Sequence, residues 1–183
     1  MPAPLLEAAM AVLQAAPDGR LNIVLLNKAL FYLDLVALRD LGATITGAKY
    51  VAIENGPVVA KYQQKLVGEL EKAGLATQSQ DGLAKPVAAA APVAAFEHLS
   101  PTQLGKVEPV VRYIAAMTST QASAYAHKNP GWRIAYNGPG APGGIIDMRI
   151  AMQQILEADP WLETPLTANE MAAVSSDDQL FDW

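Results

Sequence analysis

The sequence predicts a predominantly α-helical α+β fold: a helical bundle around one central buried helix, with a small β-sheet and a winged-helix-like element. Composition is the first reason, since 51% of the 183 residues are hydrophobic and 17% are charged, which suits one sizeable core. The second is that residues 21–41 are apolar around most of a helical circumference, as in a helix at the centre of a bundle. The third is a pair of short regions with strand composition, Tyr50–Ile53 and the two sides of Asp81-Gly82, which we expect to form one small sheet.

Local signals delimit the first two helices. The first is predicted from Ala3 to Ala15, with Pro4 tolerated in its first turn, and Pro17-Asp18-Gly19 breaks it. The second follows Asn22, a favourable N-cap residue, and stops before Gly42, which suits the residue after a helix. The second helix is therefore predicted to be the central one.

Few polar residues interrupt this central helix, and they include Asn27, Lys28, Tyr32 and Asp34. Asn27 and Asp34 share one side of the helix, and Lys28 and Tyr32 are i, i+4 neighbours beside it. Burying a polar group without a partner costs about 1 to 3 kcal/mol, so these positions need an explanation. Two interpretations remain open: a polar patch that faces a partner, or a hydrogen-bonded core network or solvated edge.

The region after the central helix is predicted to contain a short edge strand, Tyr50–Ile53, and a third helix. Residues 54–57 are interpreted as a turn into that helix, with Asn55 or Gly56 as the cap and Pro57 at the first helical position. The apolar period continues until Gly74, which ends the helix. The glycine and proline are interpreted as a sharp turn, not as a ligand-binding loop.

A hairpin is predicted next, with strands Leu75–Gln80 and Leu83–Val87 joined by Asp81-Gly82. Helix, glycine, strand, turn and strand in this order are typical of a winged-helix element. The third helix would then be a recognition helix whose candidate nucleic-acid contacts are Lys61, Lys65 and Lys72. A solvated helix face is the alternative, because that helix contains no arginine for bidentate contacts to guanine.

The second half of the chain follows a low-complexity connector at residues 88–96. Ser100 and Gln103 predict a capping box at the start of a helix, which Pro109 is expected to kink. Thr118 and Gln121 predict a second capping box.

The short helix that Thr118 opens is expected to end near His127, after which Asn129-Pro130-Gly131 turns the chain. His127 and Trp132 are interpreted as a packing and hydrogen-bonding unit, with an acid or base as the alternative. Residues 137–144 are expected to be a surface loop, since they lack the lysine of a phosphate-binding loop. The last long helix begins near Asp147 and stops at Asp159-Pro160.

Residues 1–160 are expected to form a single domain, and residues 161–183 a partly flexible extension. Thr167–Glu170 predicts a capping box and a short helix to Val174. Residues 175–183 combine acidic with large apolar side chains, which is typical of a segment that docks on a partner. Two alternatives remain open, that the segment folds back on its own domain and that it stays undocked.

Several classes of protein are excluded by what the sequence lacks. Zero cysteines exclude a disulfide scaffold, a thiolate metal site and a cysteine nucleophile. The sequence has no hydrolase elbow, zinc-helix or nucleotide-binding glycine motif, so no catalytic residues, metal or cofactor are assigned, and we expect no enzymatic activity. No stretch is long and apolar enough for a membrane span, and a cytoplasmic protein is expected. The net charge of −5 opposes binding to phosphate backbones at long range.

Three segments resemble the Panacea domain, the SocA-like antitoxin domain family found in bacterial and phage-associated proteins. The first matches the family's KLLYFAD segment, with Lys28, Ala29, Leu30, Phe31, Tyr32, Leu33 and Asp34. The second matches its YxAxxxGPV segment, with Tyr50, Ala52, Gly56, Pro57 and Val58. A further match to an LSxxE helix start and an H-x-x-x-x-W segment involves Leu99, Ser100, His127 and Trp132. The resemblance extends over roughly residues 20 to 150.

This resemblance implies an antitoxin that neutralises a cognate protein toxin by direct binding, with presentation of the toxin to a cellular protease as a further role. Under this hypothesis the candidate partner-binding residues are Lys28, Tyr32, Asp34, Tyr50, Glu54, His127 and Trp132. The alternatives are a winged-helix transcription regulator that binds DNA through the three lysines, and a phage-associated interaction protein. The first of these predicts salt-dependent binding to DNA.

Overall fold

The computed structural model describes residues 4–158 and 160–161, and these residues form the predicted α+β fold. The helices of this part are α1 (Pro4–Ala15), α2 (Ile23–Leu41), α3 (Glu69–Lys72), α4 (Pro101–Leu104), α5 (Val107–Ala115), α6 (Ser119–His127), α7 (Pro130–Asn137), α8 (Met148–Ala151) and α9 (Gln153–Glu157). The strands are β1 (Arg20–Asn22), β2 (Tyr50–Ile53), β3 (Gly56–Val59), β4 (Ala76–Gln78), β5 (Pro86–Ala89) and β6 (Gly144–Ile145). The predictions for residues 162–183 lie outside the described residues.

Helix α2 lies at the centre of the described fold, as predicted. Its side chains are buried from Leu25 to Ala37 without interruption, and α1, α5, α6 and β3 pack around it. The Asn22 side chain accepts a hydrogen bond from the Val24 N–H at 3.2 Å, and Gly42 ends the helix in the left-handed conformation at φ 78°. Both predicted boundaries of α2 are confirmed, because capping chemistry is set by residues next to each other in the chain. Within residues 4–158 and 160–161, no helix is long and apolar enough to cross a bilayer.

The strands form two three-stranded antiparallel sheets, whereas the sequence predicted one sheet containing both regions. One sheet has the order β1-β5-β4 and the other the order β3-β2-β6. Strand β2 is therefore the central strand of its sheet and not an edge strand. The two strands that complete these sheets, β1 and β6, are three and two residues long, which is too short for a periodic sequence signal.

The prediction that residues 54–57 lead into a helix is wrong. Gly56–Val59 forms strand β3, which pairs with β2 so that Ile53 lies opposite Gly56 and Tyr50 opposite Val59. The helical region begins only later, as a π-helical segment at Gln63–Gly68 that continues into α3. A glycine followed by proline is compatible with both a hairpin and a helix start, so these two residues alone do not distinguish the two structures.

The winged-helix-like order is present in the first half of the chain. Helix α1, strand β1 and helix α2 are followed, after the β2–β3 hairpin, by α3 and the predicted hairpin of β4 and β5. Strand β1 pairs with β5, with Arg20 opposite Ala88, and Asp81 forms an isolated bridge with Ala84 at the hairpin turn. The predicted hairpin is thus confirmed, and β1 extends it to three strands.

The second half contains both predicted capping boxes, at Ser100 and at Thr118. The helix that starts after Ser100 is interrupted beyond Leu104 and resumes as α5, in which Pro109 occupies the first turn. Residues 129–131 form a helix start, not only a turn: the Asn129 side chain accepts a hydrogen bond from the Trp132 N–H at 3.1 Å. Asp147 caps α8 as predicted, but the last long helix is divided into α8 and α9.

Candidate functional site

Lys28 lies in the interior, where its ammonium group is 0% exposed together with the rest of the side chain. Its Nζ donates a hydrogen bond to the Pro57 carbonyl at 3.2 Å, and no carboxylate forms an ion pair with it among the described residues. Burial lowers the pKa of Lys28 from 10.5 to about 7. A β-carbon on Gly56 would lie 2.8 Å from the Lys28 Cε, so the glycine leaves the space that this side chain fills.

Asn27 makes a second connection between α2 and the same hairpin. Its Oδ1 accepts a hydrogen bond from the Val59 N–H at 2.9 Å, and its Nδ2 donates to the Ile23 carbonyl at 3.0 Å. Together with the contact from Lys28 to Pro57, these bonds fix strand β3 on the central helix. The first two segments of the family resemblance therefore meet here, in a contact that holds the fold together.

Asp34 is the centre of a buried polar network. Its carboxylate accepts hydrogen bonds from the Ile45 N–H at 2.7 Å, the Thr46 N–H at 2.9 Å, the Thr46 hydroxyl and the Tyr50 hydroxyl at 2.9 Å. Burial raises the pKa of Asp34, and the hydrogen bonds from Thr46 and Tyr50 oppose that rise. Burial and the neighbouring Asp34 raise the pKa of Tyr50 well above its usual value, so its hydroxyl stays protonated and donates. The network ties the loop after α2 to the start of β2.

Tyr32 belongs to a third buried cluster. Its hydroxyl donates to Gln154 Oε1 at 2.8 Å, and burial raises its pKa well above the usual tyrosine value. The Asn129 Nδ2 donates to the same Gln154 oxygen at 2.9 Å and to the Ala151 carbonyl at 2.9 Å. This cluster joins α2 to the start of α7 and to the two short helices after β6.

Four of the seven predicted partner-binding residues are almost fully buried. Lys28, Tyr32 and Asp34 are 0% exposed and Tyr50 is 1% exposed. A docking protein does not reach these four side chains in this structure, and the hydrogen-bonded core network is the interpretation that their contacts favour. Their role here is to position the β2–β3 hairpin and the loop before it.

The remaining three residues of that set, Glu54, His127 and Trp132, lie next to one another at the β2–β3 turn. The His127 Nε2 lies 2.8 Å from the Glu54 carbonyl oxygen, and the Trp132 Nε1–H donates to the Ile53 carbonyl at 3.1 Å. Because a carbonyl only accepts, the His127 Nε2 carries the proton of this bond. The last residue of α6 and the first turn of α7 thus hold the hairpin turn by hydrogen bonds to its backbone carbonyls.

A stack of three rings supports this arrangement. The centroids of the His127 and Trp132 rings are 4.2 Å apart, with an angle of 19° between the ring planes. The centroids of the Trp132 and Tyr136 rings are 4.6 Å apart, with an interplanar angle of 14°. Trp132 is buried, whereas His127 and Tyr136 are half-buried and Glu54 and Asn55 are exposed. We call the group of Glu54, Asn55, His127 and Tyr136 the hairpin surface. It combines one carboxylate, one amide and two half-buried rings, and its turn is held through backbone hydrogen bonds.

The three lysines of the nucleic-acid alternative are exposed but do not belong to one regular α-helix. Lys61 precedes the helical region and has a positive φ of 57°, Lys65 lies in the π-helical segment, and Lys72 ends α3. The Lys72 ammonium lies 3.8 Å from the Glu69 carboxylate. Lys61 is therefore not part of the helix on which the sequence placed it, although its carbonyl accepts a hydrogen bond from the Lys65 N–H at 2.9 Å.

One group of possible metal ligands exists among the described residues, formed by Glu7, Glu97 and His98, whose ligand atoms lie within 4.8 Å of one another. The buried Glu7 carboxylate already accepts hydrogen bonds from the Glu97 N–H at 3.1 Å and the His98 N–H at 2.7 Å, and lies 2.8 Å from the His98 Nδ1. These bonds explain the group as a link between α1 and the loop before α4.

Sequence reasoning missed two participants of the buried networks, Thr46 and Gln154. Neither has a local signal, because Thr46 contacts a residue twelve positions earlier and Gln154 one that is 122 positions earlier. The role of Asn129 had a signal, since an asparagine followed by proline suits a helix start.

The fold and these contacts define an α+β domain with a winged-helix-like first half and buried polar networks around its central helix. The model of the family described as "Antitoxin SocA-like, Panacea domain" matches residues 26–133, which is more than half of the chain. The chain therefore belongs to this family of antitoxin-like domains. A search of curated proteins gave no match, and a search of solved structures gave none either.

Proposed function

We propose that this chain is an antitoxin that neutralises a cognate protein toxin by direct binding, and that the hairpin surface is the centre of the contact. Membership of the SocA-like Panacea family over residues 26–133 is the observation that carries this proposal. The family implies a toxin as the partner, and the chain would act on it by holding it, without catalysis.

The hairpin surface supports the proposal by its construction. The Glu54 and Asn55 carbonyls accept hydrogen bonds from α6, from His127 and from the Ser123 hydroxyl at 3.0 Å, so the turn is fixed before a partner arrives. A preorganised surface loses little conformational entropy on binding. A stable interface buries about 800 Å² on each partner, so the hairpin surface forms the middle of a larger contact area.

Charge reversal at the exposed turn tests the proposal. Glu54→Arg together with Asn55→Arg changes two side chains that make no hydrogen bond in the described structure, and it leaves both carbonyls in place. We expect the affinity for the toxin encoded beside this chain to fall at least about tenfold, which corresponds to about 1.4 kcal/mol. The matched control is Glu157→Arg, at an exposed carboxylate at the end of α9.

Affinity is measured by calorimetry with purified toxin, and neutralisation by growth of cells that co-express it. The double variant should fail to restore growth while its melting temperature stays at the wild-type value, and the control should restore growth. Equal rescue by both variants would place the contact elsewhere. Absence of rescue by the wild-type chain would refute the antitoxin function itself.

Delivery of the toxin to a cellular protease is a further step that we propose on the family resemblance alone. An adaptor accelerates degradation of the bound toxin and is itself recovered. Its measurement is the half-life of the toxin in cells with and without the chain. An unchanged half-life together with restored growth would limit the function to sequestration.

DNA binding is the second candidate, and the winged-helix-like order of α1, β1, α2, α3, β4 and β5 favours it. Lys61, Lys65 and Lys72 are exposed around the helical region that a winged helix would direct at DNA. Fluorescence anisotropy with operator DNA from the surrounding genes would then give an affinity that falls steeply as salt rises. Replacement of Lys65 by glutamate would weaken it, whereas the hairpin-surface variant would not.

A further inference from the structure

The outward stripe of α7 is a surface that the proposed function does not use. Pro130, Arg133, Ile134 and Asn137 follow the i, i+3, i+4, i+7 spacing and line an open groove of about 430 Å³. Ile134 is 60% exposed, although it is a large apolar residue. Trp132, on another side of the same helix, contacts β2, so the stripe faces away from that sheet.

The groove carries positive charge that is not compensated nearby. Arg133 lines the groove, and Lys128 lies two residues before Pro130 in the chain. Both are exposed, and neither forms an ion pair within residues 4–158 and 160–161. An exposed apolar side chain beside uncompensated cations suits an acidic segment that also carries large apolar residues.

Such a segment is present in this chain. All thirteen basic residues precede residue 162, and thirteen of the eighteen acidic residues do so as well. Residues 162–183 contain the other five acidic residues and no basic residue, so they account for the whole net charge of −5. Residues 177–183 combine three aspartates with Leu180, Phe181 and Trp183.

The described part of the chain ends against α2 and α5, next to α6, the helix that precedes α7. The ring centroids of Trp161 and Tyr32 are 5.4 Å apart, and those of Tyr32 and Tyr125, a residue of α6, are 5.2 Å apart. Helix α6 leads directly into α7, and Gln154 on the way to Trp161 is hydrogen-bonded to the Asn129 cap of α7. Sixteen residues lie between Trp161 and Asp178. At about 3.4 Å per residue they span up to roughly 55 Å, which is long enough for residues 177–183 to reach α7.

We propose that residues 177–183 bind in cis to the α7 groove, with the aspartates beside Arg133 and Lys128 and the large apolar side chains on Ile134 and Pro130. Charge complementarity sets the orientation, and the apolar contacts supply most of the binding free energy. The groove is then occupied in the free protein, and a partner that uses it must displace this segment. The inference does not depend on the antitoxin function.

The absence of cysteine from the sequence allows a direct test in the full chain. Asn137→Cys at the rim of the groove is combined with Gln179→Cys, and the rate of disulfide formation is measured under mild oxidation. The matched control pairs Gln179→Cys with Leu83→Cys, since Leu83 is fully exposed at the β4–β5 hairpin. We expect a rate at least about tenfold higher for the groove pair, because docking raises the effective concentration of the two thiols.

Charge variants of the groove pair distinguish specific docking from random encounters of a tethered segment with the groove. Arg133→Glu, or about 0.5 M salt, should lower the rate toward that of the control pair, because both remove the attraction between the groove and the aspartates. Adding Asp177→Lys and Asp178→Lys to Arg133→Glu should restore the rate. Equal rates for the two pairs, or a groove rate that ignores Arg133→Glu and salt, would overturn the proposal. Cross-links that form only between chains, in proportion to concentration, would overturn it as well.

Discussion

Replacing the buried Lys28 with methionine is expected to stabilise the protein, although it removes a hydrogen bond. Burial lowers the pKa of Lys28 from 10.5 to about 7, and this difference corresponds to about 5 kcal/mol at about 1.4 kcal/mol for each pH unit. Methionine has a similar length and fills the space beside Gly56 without a charge. Loss of the hydrogen bond to the Pro57 carbonyl destabilises the variant by about 1 to 3 kcal/mol. The net gain in the free energy of unfolding is therefore about 2 to 4 kcal/mol near pH 7.

The pH dependence has a defined sign. Between the folded pKa of about 7 and the unfolded value of 10.5, the unfolded chain holds the Lys28 proton more often than the folded chain does. The stability of the wild type therefore rises with pH in this window and falls as the pH decreases toward the folded pKa. The methionine variant lacks this contribution, so the advantage of the variant should shrink as the pH is raised from about 7 to about 9.

Urea unfolding followed by tryptophan fluorescence at several pH values measures both effects. Lys65→Met, at an exposed lysine, is the control and should change stability by less than about 0.5 kcal/mol at each pH. The titration of the Lys28 ammonium followed by NMR gives its pKa directly, even if the variant folds poorly. A Lys28 pKa near its ordinary value, or a variant that is less stable than the wild type at every pH, would refute the reasoning.

Three further substitutions test the other buried contacts by urea unfolding. Tyr50→Phe should cost about 1.5 to 3 kcal/mol, because the Asp34 carboxylate loses one of its buried donors; a cost below about 0.5 kcal/mol would contradict the network. Gly56→Ala should cost at least about 2 kcal/mol, since a β-carbon would meet Lys28 at 2.8 Å and the φ of 96° disfavours any side chain; a neutral effect would contradict this packing. Asn129→Ala should cost about 2 kcal/mol or more through the lost cap of α7 and its two other buried bonds, and an unchanged midpoint would show that these bonds contribute nothing.

The sequence predicted those features of the fold that neighbouring residues determine. Asn22, Gly42, Ser100 and Thr118 mark helix ends because capping bonds join residues within a single turn. The burial of α2 was also predictable, since its apolar residues leave no polar face. These predictions need no knowledge of what lies across the core.

The features that were missed depend on contacts between distant residues. Whether Gly56 and Pro57 begin a helix or a strand is decided by their pairing with β2 and by the hydrogen bond from Lys28, 29 residues before its acceptor. Similarly, β1 is recognisable as a strand only through β5, with Arg20 opposite Ala88. Local propensity is a weak prior where tertiary contacts of this kind compete with it.

The sequence did not reveal which of the candidate site residues are exposed. Sequence reasoning placed Lys28 and Asp34 in one group with His127, and both interpretations of the polar residues were open. The structure separates them, since Lys28 and Asp34 are buried whereas His127 is half-buried at the hairpin turn. Hydrogen-bond partners such as Thr46 decide between these interpretations, and a sequence does not reveal which partner lies opposite a polar side chain.

The bond from the Tyr32 hydroxyl to Gln154 determines where an expression boundary can be drawn. A fragment that ended at residue 133, where the family match stops, would lack Ala151 and Gln154 and would leave the Tyr32 hydroxyl and the Asn129 amide inside without acceptors. Recombinant fragments of this chain should therefore keep the short helices that follow β6.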